Sequence, residues 1–158
     1  MATSLNGWPV LVAGDRRLKT ITVPGTHVRL TVRDVCAPVF AALASDYNRL
    51  IEPLALGDHD DAGYSYRKAR AADGWSNHSS GTAIDLNWTG HGAQRLANRR
   101  WWQLTKPRTG VAVLQKRYPI LTWGGTWSPK NWDPMHWEIK RGVTPKMVED
   151  FIKRNHLG

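Results

Sequence analysis

The stretch from Trp75 to Trp88, W-S-N-H-S-S-G-T-A-I-D-L-N-W, constrains this chain more than any other. It holds His78 and Asp85 with a small-residue turn, Ser79-Ser80-Gly81, between them. Thr82 to Asn87 alternates, which predicts a strand with Ala83, Asp85 and Asn87 on one face and Ile84 and Leu86 toward the core. A tight turn would bring His78 back beside Asp85, and Gly81 can supply a backbone conformation closed to other residues. His136 follows about fifty residues later in D-P-M-H-W-E. Two imidazoles and a carboxylate suffice for a metal site that keeps a position open for water.

Sulfur cannot contribute to such a site. The one cysteine, Cys36, excludes a disulfide framework and a thiolate cluster, and it lies in an apolar helical pattern as a buried thiol. The candidate ligands are therefore histidine and carboxylate, His78, Asp85 and His136, with zinc the expected ion and an ordinary structural role for these side chains the alternative. Small residues at Ser79, Ser80, Gly81 and Ala83 leave room for metal and substrate. Two carboxylates compete for the role of general base. Asp133 stands three residues before His136, and Glu138 stands two after it, on the same face of a regular strand. Spacing leaves both open, with Glu138 also suited to supporting a ligand from behind.

The net charge of +9 points to an anionic partner. The basic residues are scattered, and no RNA-binding or zinc-finger spacing occurs, which argues against nucleic acid. No apolar run approaches the roughly eighteen residues of a membrane helix. Met1 to Asp15 has neither a basic leader nor a long apolar segment, so the chain is expected in the cytoplasm of its host until released. Nine tryptophans suit either a core or a surface that stacks on sugars or bases.

Read in order, the chain predicts one α+β domain over residues 1–158. Strands are expected over 18–23 and 27–32. A helix is expected over 34–54, capped by Asp34, with an apolar stripe from Cys36 to Leu54. Residues 55–63 read as a solvated Asp/Gly turn. Tyr64 to Arg70 reads as a short strand with Ser65 and Arg67 on one face and Tyr64 and Tyr66 on the other. Residues 89–110 read as polar and irregular, with a short helix or wall at Arg99 to Trp102, and 110–118 as a short helix. Ile120 to Trp123 and the residues after His136 read as strands. Thr144-Pro145 opens a C-terminal amphipathic helix.

Ser76-x-His78-x-x-Gly81-x-Ala83-x-Asp85 resembles the S-x-H-x-x-G-x-A-x-D signature of the M15 metallopeptidases. These are the D-alanyl-D-alanine carboxypeptidases of the VanY and VanX types and the phage L-alanyl-D-glutamate endopeptidases. Trp123-Gly124-Gly125-x-Trp127 and Asp133-x-Met135-His136-Trp137-Glu138 resemble the second half of that family's pattern, and Tyr64 to Arg67 resembles its Y-x-x-R element. The resemblance spans 64–138 in order. It implies zinc on His78, Asp85 and His136, and it implies Asp133 as base, leaving Glu138 as a support behind the ligands. It implies Arg67 as the group that stabilises the substrate carbonyl, with Arg70 a rival in Y-S-Y-R-K-A-R. Ser76 would hold substrate or orient the site. The implied fold is a small antiparallel sheet with flanking helices, shared with the hedgehog signalling domain. The implied activity is cleavage of peptidoglycan stem peptides by a monomer acting on the acidic bacterial wall, as a phage or prophage endolysin of the endopeptidase type. The alternatives are a D-alanyl-D-alanine carboxypeptidase and a non-catalytic hedgehog-like wall-binding module.

Overall fold

The computed structural model describes residues 1–54 and 59–158. Among the described residues, two small antiparallel sheets and four α-helices make an α+β architecture. β1 (Leu18–Thr22) and β2 (Arg29–Arg33) form a hairpin in which Thr20 opposes Thr31 and their hydroxyls bond at 2.7 Å. The alternation of Leu30 and Val32 puts both into the core, fully buried.

A short 3-10 turn, Asp34–Cys36, leads into α1 (Ala37–Leu50). The expected helix over 34–54 is thus shorter, and Asp34 does not cap it. The carboxylate of Asp34 accepts from the adjacent Val35 N–H at 2.7 Å, and the cap position falls to Cys36, whose side chain makes no cap bond. Pro38 sits in the first turn, where its missing N–H costs nothing. Val39, Phe40, Leu43 and Tyr47 form the buried stripe that the spacing predicts. Cys36 is fully buried, and desolvation pushes its thiol up to about 12, so it stays neutral and inert.

The second sheet carries the site. β3 (Ala83–Asp85) and β4 (Leu121–Trp123) flank a central β5 (His136–Ile139), all antiparallel. Its register sets Asp85 opposite His136, Ala83 opposite Glu138, and Ile84 opposite Trp137. One face is therefore apolar, with Ile84, Trp137 and Ile139 fully buried, while Asp85, His136 and Glu138 share the other. β3 is shorter than the alternation predicts. Asn87 adopts φ +53 and turns its amide to Glu52 and the Pro53 carbonyl, so it leaves the face of Ala83 and Asp85.

α2 (Leu96–Trp101) and α3 (Thr105–Arg117) replace much of the irregular stretch expected over 89–110. Pro107 does not break α3, because it falls at the third helical position, before intrahelical N–H bonds begin. α4 (Pro145–Arg154) follows the prediction: the Thr144 hydroxyl accepts from the Met147 N–H at 3.2 Å.

Two further readings change. Tyr64 to Arg70 is extended but forms no strand, because its bonds go to unrelated partners: Tyr64 N–H to Thr31, Ser65 N–H to His78, and the Arg67 carbonyl to Ser76. Of the turn expected over 55–63, residues 55–58 lie outside the described residues. Asp60 is buried rather than solvated and accepts from the Thr89 hydroxyl at 2.8 Å, while Asp61 accepts the Asn87 N–H at 2.9 Å.

Candidate metal centre and cleft

His78 stands on a 3-10 turn, Asn77–Ser80. Ser76 caps this turn, its hydroxyl accepting from the His78 N–H at 3.2 Å. Gly81 closes it at φ +71, and a Cβ there would lie 2.6 Å from the Arg33 nitrogen. The residue must therefore be glycine for two separate reasons, conformation and space.

The His78 ring is oriented by its Nδ1, which donates to the Gly63 carbonyl at 2.7 Å. That bond assigns the tautomer, leaving Nε2 as a bare acceptor. Nε2 is buried, lacks a hydrogen-bond partner among the described residues, and lies 3.2 Å from Asp85 Oδ2. A lone pair facing a carboxylate in a buried site calls for a cation between them. The other carboxylate oxygen, Oδ1, sits 3.1 Å from His136 Nδ1. His136 Nε2 is engaged behind, at 2.7 Å from Glu138 Oε2. One donor atom from each of His78, Asp85 and His136 lies within 4.8 Å of the others, and the His₂Asp set suits zinc.

The electrostatics match this arrangement. Burial alone would raise the Asp85 carboxyl, but the hydrogen bond from His136 and the adjacent imidazole of His78 outweigh it and hold the group well below the carboxylate range. Burial would likewise depress His136, yet Asp85 and Glu138 push its imidazolium up to about 10 in the metal-free protein.

Behind His136 a polar chain runs to the N-terminal segment. Asn77 Nδ2 donates to Glu138 Oε2 at 2.7 Å, and Asn77 Oδ1 accepts the Asn6 backbone N–H at 2.8 Å. Asn6 in turn donates to the Thr82 hydroxyl and the Ile139 carbonyl. Asn77 and Asn6 escaped the sequence reading. Asn77 is flagged only by standing next to His78, and nothing local flags Asn6.

Asp133 lies in the same cleft as His78, Asp85 and His136. Its backbone is pinned: its N–H donates to Gly124 at 3.0 Å, and its carbonyl accepts the His136 N–H at 3.2 Å. Gly124 packs so closely that a Cβ there would lie 2.2 Å from the Asp133 carbonyl oxygen. Trp123 Nε1 donates to the neighbouring Pro134 carbonyl, and the Trp127 ring packs 5.1 Å from the His136 ring. The Trp123 to Trp127 segment, which carries a 3-10 turn over Gly124–Thr126, is the clamp that fixes Asp133 and His136. Burial pushes the Asp133 carboxyl up to about 6, against the pull of His136, and its Oδ1 is buried without a partner among the described residues.

The cleft measures about 1000 Å³, and Arg67, Arg70 and Ser76 also line it. Arg67 is half-buried; burial and Arg70 lower its pKa, while the charges of Asp85 and Asp133 oppose them. Arg70 is exposed at the rim. Ser65 and Arg67 line the cleft while Tyr64 points to the Leu11 carbonyl and Tyr66 packs at a tilt against Trp75, so the predicted alternation survives without a strand. Glu138 faces the cleft but is bound to His136 and Asn77. Its Oε2 is thus occupied by two side chains, whereas Asp133 has a carboxylate oxygen without a partner among the described residues.

Residues 69–139 match the family model described as D-alanyl-D-alanine carboxypeptidase, a segment slightly under half of the chain that contains His78, Asp85, His136 and Asp133. No curated protein and no solved structure matches. Among the described residues, no helix is long and apolar enough to cross a membrane.

Proposed function

We propose that this protein is a zinc-dependent M15-type peptidase that cleaves peptidoglycan stem peptides. The observation that carries the reading is the bare, buried Nε2 of His78 facing Asp85, with His136 opposite and the free Asp133 carboxylate in the same cleft. The family match over the same residues supports it. His78, Asp85 and His136 would hold the ion, which supplies Lewis acidity toward a peptide carbonyl and makes water more acidic. Asp133 accepts the proton of the attacking water and returns it to the leaving amine. Arg67 lies on the side of the cleft where its charge reaches Asp85 and Asp133, and it stabilises the negative charge that develops on the carbonyl oxygen. Glu138 and Asn77 keep the His136 ring in register. Ser76 serves as the cap of the His78 turn and borders the substrate space.

The bond we assign is that of an L-alanyl-D-glutamate endopeptidase in a phage or prophage endolysin, a basic monomer held to the acidic wall by its net charge of +9. The description of the matched family favours a second reading, removal of terminal D-alanine. Digestion of purified wall with mass analysis separates them: new L-Ala and D-Glu ends support the first, free D-alanine the second. A non-catalytic wall-binding module is opposed by the full complement of ligands and base. Less than about one zinc per chain after dialysis, or wall digestion untouched by a chelator, would overturn the enzyme reading.

A further inference from the structure

A second cavity, of about 500 Å³, lies between α2–α3 and the loop that clamps Asp133 and His136. Its size is within the roughly 300–1,000 Å³ range of small-molecule sites. Trp102, Trp123, Trp127 and Trp132 line it, together with Gln103, Gln115 and two arginines, Arg99 and Arg108. Trp102 is nearly fully buried and belongs to the core, but Trp123, Trp127 and Trp132 are each only partly buried. Burying these rings completely would have been the simpler use of their apolar area.

Two features order this surface. The Arg99 guanidinium lies 4.8 Å over the Trp132 ring and donates to the Pro129 carbonyl at 2.8 Å, which fixes ring and arginine together. Trp127 lines this groove and the metal-site cleft at once, so one indole borders both spaces. Arg108 makes no ion pair among the described residues and stands exposed at the rim with Gln103 and Gln115.

We infer that this groove binds the amino-sugar backbone to which the stem peptide is attached. The inference rests on the proposed peptidoglycan activity. The axial C–H faces of pyranose rings pack on indole faces, and N-acetyl groups and hydroxyls need the amide and guanidinium donors that Gln103, Gln115 and Arg108 present. A stem peptide held at Asp133 and His136 leaves toward its sugar past Trp127, where the groove begins. The four-tryptophan lining is too polar at its rim for an apolar helix, and the two arginines fit the anionic character of the wall.

The test uses the whole protein and two probes. The first is a peptide-free oligosaccharide of alternating N-acetylglucosamine and N-acetylmuramic acid, titrated while the indole N–H signals are followed by NMR. Saturable shifts of Trp127 and Trp132 are expected, and they should vanish in Ala112→Arg, which fills the groove from an exposed position on α3. The second probe compares glycan-linked with free stem peptide as substrate. Ala112→Arg should lower kcat/KM for the linked substrate by roughly tenfold and leave the free peptide unchanged. Absence of shifts in the unmodified protein, or equal loss on both substrates in a variant whose NMR spectrum is otherwise native, overturns the groove assignment. If neither substrate is cleaved by the unmodified protein the peptidase reading fails, while the oligosaccharide titration still decides the groove.

Discussion

Asn77 and His136 meet on a single atom: Asn77 Nδ2 and His136 Nε2 both lie 2.7 Å from Oε2 of Glu138. The carboxylate is thus held from one side while it holds the imidazole from the other. Glu138→Gln keeps the shape and removes the charge, and it should weaken zinc binding by about tenfold to a hundredfold. Asn77→Ala should produce a smaller loss in the same direction. Competition against a chromophoric chelator measures both, and unchanged affinity in each variant would reduce the pair to packing.

Metal uptake should release protons. With its pKa raised from 6.5 to about 10, His136 is an imidazolium in the metal-free protein at neutral pH and must lose that proton to become a ligand. Zinc binding at pH 7 should therefore release about one proton, and affinity should climb as pH rises toward 10. Calorimetry in buffers of different ionisation heat reads the release directly; an identical heat in all of them would contradict it. The same raised pKa stabilises the metal-free fold fully below pH 6.5, and that contribution is lost as pH rises through about 10.

The acid limb of the activity should belong to Asp133. Its carboxyl, raised by burial to about 6, is protonated below that pH and cannot accept a proton. We expect kcat/KM to fall on the acid side of about pH 6, and Asp133→Asn to lose roughly 10²–10⁴ in rate with the fold and zinc content intact. Substantial activity in Asp133→Ala would move the base to Glu138.

Gly124→Ala should damage stability and activity together. The new methyl would meet the Asp133 carbonyl oxygen at 2.2 Å, and relieving this costs about 1–3 kcal/mol and shifts the base. Gly142→Ala is the comparison, because Gly142 has φ +88 but open space around it. It should cost about 1–2 kcal/mol in backbone strain and leave kcat unchanged. Thermal unfolding and kcat for the two proteins separate the cases.

The three residues that cluster in the cleft were legible because residue type and strand alternation are local properties. His78, Asp85 and His136 converge as their spacing suggested, and the stripe of α1 was readable from its period. What was not legible depends on contacts distant in sequence. Asn6 reaches Asn77 across 71 residues, and no local pattern announces it. Tyr64 to Arg70 has strand-like alternation, yet it lacks one neighbour able to accept all its backbone bonds. Residues 105–109 read as irregular because α3 starts earlier than the apolar pattern does. Asn87 fits the alternation of a regular strand, but its side chain finds partners in Glu52 and Pro53 by leaving it.

Asp85 and His136 are direct cross-strand partners on β3 and β5, although 51 residues separate them in the chain. An ion gripped by both would tie off that loop as a covalent bridge does, in a protein whose one cysteine leaves it no bridge of its own. In the chain-entropy picture a tie of this length restricts the unfolded ensemble by about 4 kcal/mol. The catalytic ion would then double as a rivet, and stripping it would loosen the small sheet before any bond to substrate came into question. Protease resistance of the chain should consequently track its metal content, a coupling that makes starvation for zinc a route to degradation as well as to silence.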